Sequence, residues 1–321
     1  MSFLSKIALS NTIKLKAGEL GFFSLGIAEA GFMKEEAARL KQWLDAGRHG
    51  EMGYMNNHFE KRIDPRNLLK NAKSVIVVLF NYFPETMIAE ENNFKISKYA
   101  YGKDYHFVLK AKLKELIEFI NTQVPQANAR PFVDSAPVLE RSWAQRAGLG
   151  WIGKNTCLIT KEQGSFFFIG EIITDLALDY DDQQVPNHCG GCTRCLEACP
   201  TGALDKDGLD SRKCISYYTI EYRGENIPEN FAGRFDNWIF GCDICQDVCP
   251  WNRLSEAHSE PEFNISEELL SMRKPGWRSL KKEKYNVLFM NSPVKRTRFE
   301  GLSRNIMFLE RSDDGLLQES R

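Results

Sequence analysis

The chain lacks any apolar run long enough to cross a bilayer: its longest, Val75–Phe80 and Phe166–Ile169, fall far short of the roughly 20 residues a membrane helix needs. No membrane partner is expected. A secretory leader is also missing, because Met1–Leu20 carries lysines through its middle instead of an uninterrupted apolar stretch. The expected home is therefore a reducing cytoplasm, which disfavours disulfides. Histidine is scarce, at 5 residues in 321, and the two that qualify as ligands by type, His106 and His188, stand isolated as packing or surface histidines usually do. The net charge of −1 implies no partner until its distribution is read.

Cysteine is abundant in one place only. Eight of the nine lie between Cys189 and Cys249. The first run, Cys189, Cys192, Cys195 and Cys199-Pro200, reads CxxCxxCxxxCP, in which three thiolates cap one cubane and the fourth reaches across to a second. The second run repeats the pattern with Cys242, Cys245 and Cys249-Pro250, but Ile239 stands where its first cysteine belongs. Cys214 is the thiol left to complete the count. The expected assignment is Cys189, Cys192, Cys195 and Cys249 on one 4Fe-4S cluster, and Cys199, Cys214, Cys242 and Cys245 on the other. Zinc sites pair two CxxC knuckles and give no reason for a triple ladder. Thiols two residues apart bridge poorly. The radical-SAM pattern CxxxCxxC is absent, since Gly202 and Asn252 stand where its last cysteine belongs. Cys157 reads as a buried apolar residue in a strand.

At 321 residues, 43% hydrophobic and 26% charged, the chain can bury a full core and is expected to be α+β. Helices over Ser2–Glu19 and Lys34–Ala46 alternate with apolar Phe22–Ala28 and the strand run Val75–Phe80, which suggests an N-terminal α/β core. A loop carrying Tyr99, Tyr101, Asp104, Tyr105 and His106 precedes a helix over Phe107–Thr122 and a strand at Arg130–Val133. Pro137 should open a helix ending at Ala147 before the glycines at 148, 150 and 153. Thr156–Thr160 and Ser165–Thr174 read as two strands joined by a turn at Gln163-Gly164. Residues 1–178 should form the first domain, 179–258 a ferredoxin-like insert, and 259–321 a C-terminal segment with a polar, acidic linker to Glu268 and a helix from Lys281 to Leu309. From Arg273 to Arg304 ten Lys or Arg face only Glu283 and Glu300. Trp277, Tyr285, Phe289 and Phe299 sit among these charges, as nucleic-acid contacts often require.

Two clusters move single electrons, so the N-terminal region should hold a substrate or a further cofactor. Val133–Asn155 is the segment with the chemistry. Asp134, where a strand meets a helix, can cap that helix or serve as a general acid whose pKa rises in an apolar pocket. Gly148–Asn155 nearly matches a P-loop, but Asn155 replaces the hydroxyl residue that holds magnesium. The glycines fit better as a helix stop and a place where backbone approaches a large flat ligand, with Lys154 and Asn155 as donors. A cobalamin-type DxHxxG element is absent: no glycine follows Asp104-Tyr105-His106 at the required place.

Asp134-Ser-Ala-Pro137 with Glu140-Arg141, the AGLGWIGKN of Ala147–Asn155, the eight cysteines, and Cys214-Ile-Ser-Tyr217 leading to Thr219-Ile-Glu221 resemble the epoxyqueuosine reductase family. Lys61-Arg62 with Asp64-Pro65, Tyr101–His106 and Ser292–Arg296 support the match. The family consists of cobalamin-dependent iron–sulfur oxidoreductases that complete queuosine biosynthesis in tRNA and are related to reductive dehalogenases. The resemblance implies base-off cobalamin between the N-terminal and ferredoxin-like domains, with no protein histidine beneath cobalt. It implies cofactor contacts from Asn57, Arg62, Ser97, Tyr105, His106, Arg141, Lys154, Asn155, Ser216, Tyr217 and Asp243, and makes Asp134 the proton donor.

The same resemblance implies a monomer that takes electrons from an external low-potential donor. Its substrates would be tRNAs with GUN anticodons (those for Asp, Asn, His and Tyr), held by Lys281, Lys282, Lys284, Lys295, Arg296 and Arg298. Two other readings compete. A cobalamin reductase of a small molecule would not need the basic segment, and a ferredoxin-type electron carrier would leave Asp134–Asn155 idle.

Overall fold

The computed structural model describes residues 5–319, with side chains to residue 311. The first residues of the expected Ser2–Glu19 helix lie outside the described residues. Helix α1 (Lys6–Glu19) starts at Ser5, whose Oγ accepts from Ala8 N at 3.2 Å, an N-cap bond. Strand β1 (Ser24–Glu29), α2 (Lys34–Asp45), α3 (Phe59–Ile63), β2 (Ser74–Asn81) and β3 (Lys95–Ile96) follow. Then come α4 (Tyr105–Gln123), β4 (Ala129–Phe132), α5 (Glu140–Arg146), β5 (Trp151–Ile152), β6 (Leu158–Ile159) and β7 (Phe167–Thr174).

The central sheet has the order β1-β2-β7-β4, and every pairing in it is antiparallel. Alternation of helices and strands along the chain therefore does not give parallel strands here, and α+β describes the whole. Both faces are covered. Ile76, Val78 and Phe80 of β2 share a core with Leu109, Leu113 and Leu116 of α4, whereas Val75, Val77 and Leu79 share another with Trp143 and Ala144 of α5. Covering both faces explains why β2 reads as a continuous apolar run rather than an alternating one.

Three local expectations need correction. Tyr105 and His106 are not in a loop: Asp104 caps α4, accepting from His106 N at 2.9 Å, and both residues fall in its first turn. Helix α5 opens at Glu140, not Pro137, because Asp134 adopts φ 51° and residues 134–139 stay non-helical. The expected hairpin around Gln163-Gly164 is only one bridge, Thr160 to Gly164. Strand β6 pairs with β5, while β7 takes the interior of the central sheet between β2 and β4.

The cysteine-rich region adds α6 (Arg194–Glu197), β8 (Leu204–Asp205), β9 (Gly208–Leu209), β10 (Trp238–Phe240) and α7 (Ile244–Asp247). Helices α8 (Glu267–Ser271), α9 (Lys274–Arg278), α10 (Lys282–Leu288) and α11 (Arg298–Glu319) complete the described chain. The expected single helix Lys281–Leu309 is thus broken at Asn291, with φ 60°, and Pro293. One core joins all three sequence segments: Phe94 and Ile96 meet Tyr217, Phe235 and Phe240, and then Trp277, Tyr285 and Leu302. Strand β10 pairs in parallel with β3 beneath it. The acidic stretch before Glu268 is a packed strap rather than a loose linker. Phe263 lies edge-on to Phe80 and Phe168, and His258 N donates to Phe83 O at 2.8 Å.

Candidate active site and cluster sites

Helices α6 and α7, each about one turn long, pack together and carry Cys195 and Cys245. Cys189, Cys192, Cys195 and Cys249 line one cavity of about 40 Å³ with His188, Pro250 and Trp251. The other quartet is close enough for its members to influence one another. Burial foremost, then Cys214 and Cys199, push the Cys242 thiol up; burial, then Cys157, Cys242 and Cys214, push Cys245 up. Buried thiols that repel one another in this way favour a cationic cluster that draws them into the thiolate form. Among the described residues no three His, Cys, Asp or Glu side chains converge to hold a single metal ion, whereas a cubane takes its thiolates around a cage. The donor set fits such a cage.

Cys157 lies just outside β6, after Thr156 at φ 64°, and not in a strand as expected. Burial pushes its thiol up to about 11, so it stays protonated. The glycine-rich turn also differs from expectation. A Cβ on Gly150 would collide with the carbonyl of Ile159, so the close approach there is to the β6 backbone and not to a ligand. Lys154 Nζ donates to the carbonyls of Gly190 and Cys192 at 2.8 and 2.9 Å, and Asn155 Nδ2 to that of Cys245 at 3.4 Å. The turn grips both cysteine runs.

Asp134 sits between β4 and α5, and its side chain is 58% exposed. Tyr105 OH donates to Asp134 Oδ2 at 2.7 Å, and His106 Nε2 lies 3.4 Å from the same oxygen. On its other side, His106 Nδ1 is 2.7 Å from Asp104 Oδ1. The Tyr105 ring is stacked between Phe168 at 4.2 Å and His106 at 4.4 Å, which fixes its hydroxyl. Burial lowers the His106 pKa, but the Asp104 and Asp134 carboxylates outweigh it and raise it to about 9. Burial likewise raises Asp134, and the bonds from His106 and Tyr105 prevail, holding it below the usual carboxylate range. Asp104, His106 and Asp134 thus form an acid–imidazolium–acid line. The helix-cap reading of Asp134 is set aside: α5 has Leu139 at its cap position, with no side-chain cap bond.

Two further carboxyls lie under this site. Glu140 accepts a short hydrogen bond from Asp134 N, and burial, reinforced by the Asp134 charge, pushes its carboxyl up to about 8. Glu171, in the interior strand β7, has no accessible surface and no partner for either carboxyl oxygen. Burial, then Glu140 and Asp134, raise it well above the carboxylate range. Sequence reasoning missed Glu171, although an acid inside the apolar run Phe167–Thr174 was the available signal.

The remaining expected cofactor residues divide into groups. Arg62, 8% exposed, donates to Tyr54 O at 2.9 Å, keeps a buried Nε without a partner, and feels both Asp134 and Glu140. Ser97 bonds Asp243, whose carboxylate also accepts from Lys98 N at 2.8 Å and is raised by burial. Ser216 bonds Cys214. Arg141 donates to Thr156 O. Tyr217 OH accepts from Glu51 N at 2.9 Å, and Asn57 is exposed in the loop before α3.

The basic segment is more internally paired than its sequence suggests. Lys282 meets Glu300 at 2.8 Å, Lys284 meets Glu268 at 3.4 Å, and Lys295 Nζ donates to Asn286 Oδ1 at 2.9 Å. Arg296 takes Glu221 through two bonds of 3.1 and 3.0 Å, lies over the Tyr54 ring, and helps to lower Asp134. Lys281 is the cap residue of α10, and Arg298 opens α11 at φ 63°. Exposed pairs such as Lys282–Glu300 and Lys284–Glu268 contribute about 0–1 kcal/mol.

Residues 62–135 match the family described as epoxyqueuosine reductase QueG, DUF1730, and residues 188–252 match the 4Fe-4S double cluster binding domain. An epoxyqueuosine reductase of Cellulophaga algicola is 54% identical over 94% of this chain and 98% of its own. Among solved structures, an epoxyqueuosine reductase with an epoxyqueuosine-modified tRNA-Tyr stem loop superposes with a TM-score of 0.86, at 28% identity, over 94% of this chain and 80% of the other. One from Bacillus subtilis, described with its catalytic aspartate loop swung out of the active site, gives 0.86 at 27% identity, over 97% and 84% of the two chains. A reductive dehalogenase, described in connection with B12-dependent dehalogenation, shares the fold at a TM-score of 0.51 and 17% identity, over 95% of this chain and 39% of that one.

Proposed function

The chain belongs to the epoxyqueuosine reductase family, and from that premise we propose that it reduces epoxyqueuosine to queuosine at the wobble position of tRNAs with GUN anticodons. The observation that carries the reading is the Asp134 carboxylate held by Tyr105 and His106, in a chain with two thiol quartets suited to one-electron supply. Removing the epoxide oxygen consumes two electrons and two protons and releases an alkene and water. Asp134, ionised at rest, is the group through which a proton reaches the departing oxygen: the His106 imidazolium supplies that proton, solvent supplies the second, and Asp104 keeps the imidazole aimed. Tyr105 fixes the carboxylate while its own ring is clamped against Phe168.

Cobalamin, when bound, supplies a cobalt centre that takes up electrons and passes them to the epoxide-bearing ring. The chain's residues fit that group. Arg62 has a spare buried donor beside Asp134, and both His106 nitrogens are engaged by carboxylates, so His106 would not be a metal ligand. Arg62, Ser97, Arg141, Ser216, Tyr217, Asp243 and Asn57 are the candidate holders. Lys154 and Asn155 act through the cysteine loops they grip. Lys281, Lys282, Lys284, Lys295 and Arg298 would meet tRNA phosphates, and Arg296 stands nearest the acid. The protein would work as a cytoplasmic monomer supplied by an external low-potential donor.

A second reading, reduction of a small halogenated or oxidised molecule, draws on the dehalogenase fold alone. An anaerobic assay separates them. Cluster-loaded protein with cobalamin, a strong reductant and epoxyqueuosine-containing tRNA should yield queuosine by nucleoside mass spectrometry. No conversion by protein shown to hold both clusters and cobalamin would overturn the proposal.

A further inference from the structure

The deepest polar groups near the site are carboxyls that the proton path through His106 does not use. Glu140 opens α5 and reaches back to Asp134 N. That bond closes the 134–140 loop on itself. Asp134 needs the closure, because its φ of 51° is a left-handed conformation that costs a side-chain-bearing residue about 1 kcal/mol or more unless neighbours enforce it. Glu171 lies under the same helix in β7, wholly buried with both oxygens unpartnered. Such a group normally costs a protein several kcal/mol as an anion and is retained for a reason.

We propose that Glu140 is a positioning residue for the reduction: its carboxyl latches the Asp134 backbone, and the buried, unpartnered Glu171 carboxyl beneath is the partner it turns to when the latch opens. The proposal rests on the functional reading above. With the latch closed, the Asp134 carboxylate meets Tyr105 and His106. When Asp134 N–H withdraws, as the swung-out loop of the Bacillus subtilis relative would require, the Glu140 carboxyl would be left buried and unpaired but for Glu171. No bond to substrate is made, and the only proton involved is the one on the acid pair. The charged and titratable groups that act on Glu140 are Asp134, His106 and Arg141, with Arg62 and Glu171 also facing it.

The test is amide hydrogen exchange at Asp134 in cluster-loaded protein, read beside turnover. Glu140→Ala should speed that exchange about tenfold, the loss of one hydrogen bond, while the Val77 amide in β2 is unchanged. It should lower kcat by a similar factor with KM for tRNA held. Glu140→Gln keeps an acceptor and should restore slow exchange and most of kcat. Protection of the amide in the unaltered protein should rise across about pH 8 as Glu140 ionises and stay flat in Glu140→Gln. Unchanged exchange in Glu140→Ala, or a pH step that persists in Glu140→Gln, overturns the latch. Should Glu140→Ala not fold, the pH comparison decides alone. If the unaltered protein reduces no epoxyqueuosine, the functional reading fails while the exchange results still judge the latch.

Discussion

The cluster region and the candidate acid site are specified in opposite ways. Seven of the eight candidate cluster thiols sit at fixed short spacings on two one-turn helices and their flanking loops, with Cys214 standing apart, because a cage held by thiolates demands particular reach from neighbouring residues. The acid site gathers a cap residue and first-turn residues of α4, a strained loop, the first residue of α5 and an interior strand. Ligand geometry leaves its mark in spacing. Proton affinity leaves none, since neighbours brought from elsewhere in the chain set it.

The contrast is broken most severely at a ligand. Cys214→Ala should lose one cluster, and with it about half the iron and all turnover, whereas Cys157→Ala should keep the full iron content measured after reconstitution. Equal iron in both variants would dissolve the distinction between ligand and buried thiol. Next in size, Asp134→Asn should keep both clusters and lose roughly 10²–10⁴-fold in turnover; near-normal turnover would remove it as the acid.

His106→Gln tests the acid site through stability. Because folding raises the His106 pKa from 6.5 to about 9, its contribution is complete below about pH 6.5 and is lost as pH rises through 9. The variant should be less stable by about 2 kcal/mol at pH 6, with the gap in denaturant midpoint closing by pH 10. A gap that stays constant with pH would show that packing, not charge, is at work. Smallest of all, Lys282→Ala with Lys284→Ala should change stability by less than about 1 kcal/mol and reduce the salt dependence of tRNA binding by about two phosphate contacts. An unchanged salt slope would move the tRNA surface elsewhere.

Much of the scaffold was legible from sequence: β2 announced itself as an unbroken apolar run, and α2 by its start and length. Asp134 was legible as an acid at a strand end, but its role was not, because Tyr105 and His106 read as loop residues until the Asp104 cap placed them in a helix. The register of β7 escaped notice for a related reason. Its pairing with β2 joins residues nearly a hundred positions apart, and no local pattern encodes such a distance. Glu171 was hidden by the same strand. The basic segment was visible as charge, while its pairing with Glu221, Glu268 and Glu300 arises only on folding.

Helix α5 touches both halves of the chemistry. It begins with the Glu140 carboxyl on Asp134 and leads into the turn whose Lys154 and Asn155 grip the two cysteine runs. Both links leave from its first turn: Glu140 holds Asp134 N, and Arg141 donates to the carbonyl of Thr156, next to Asn155. A shift of the cysteine loops would thus reach the acid loop through one side chain, Arg141, rather than along the length of the helix.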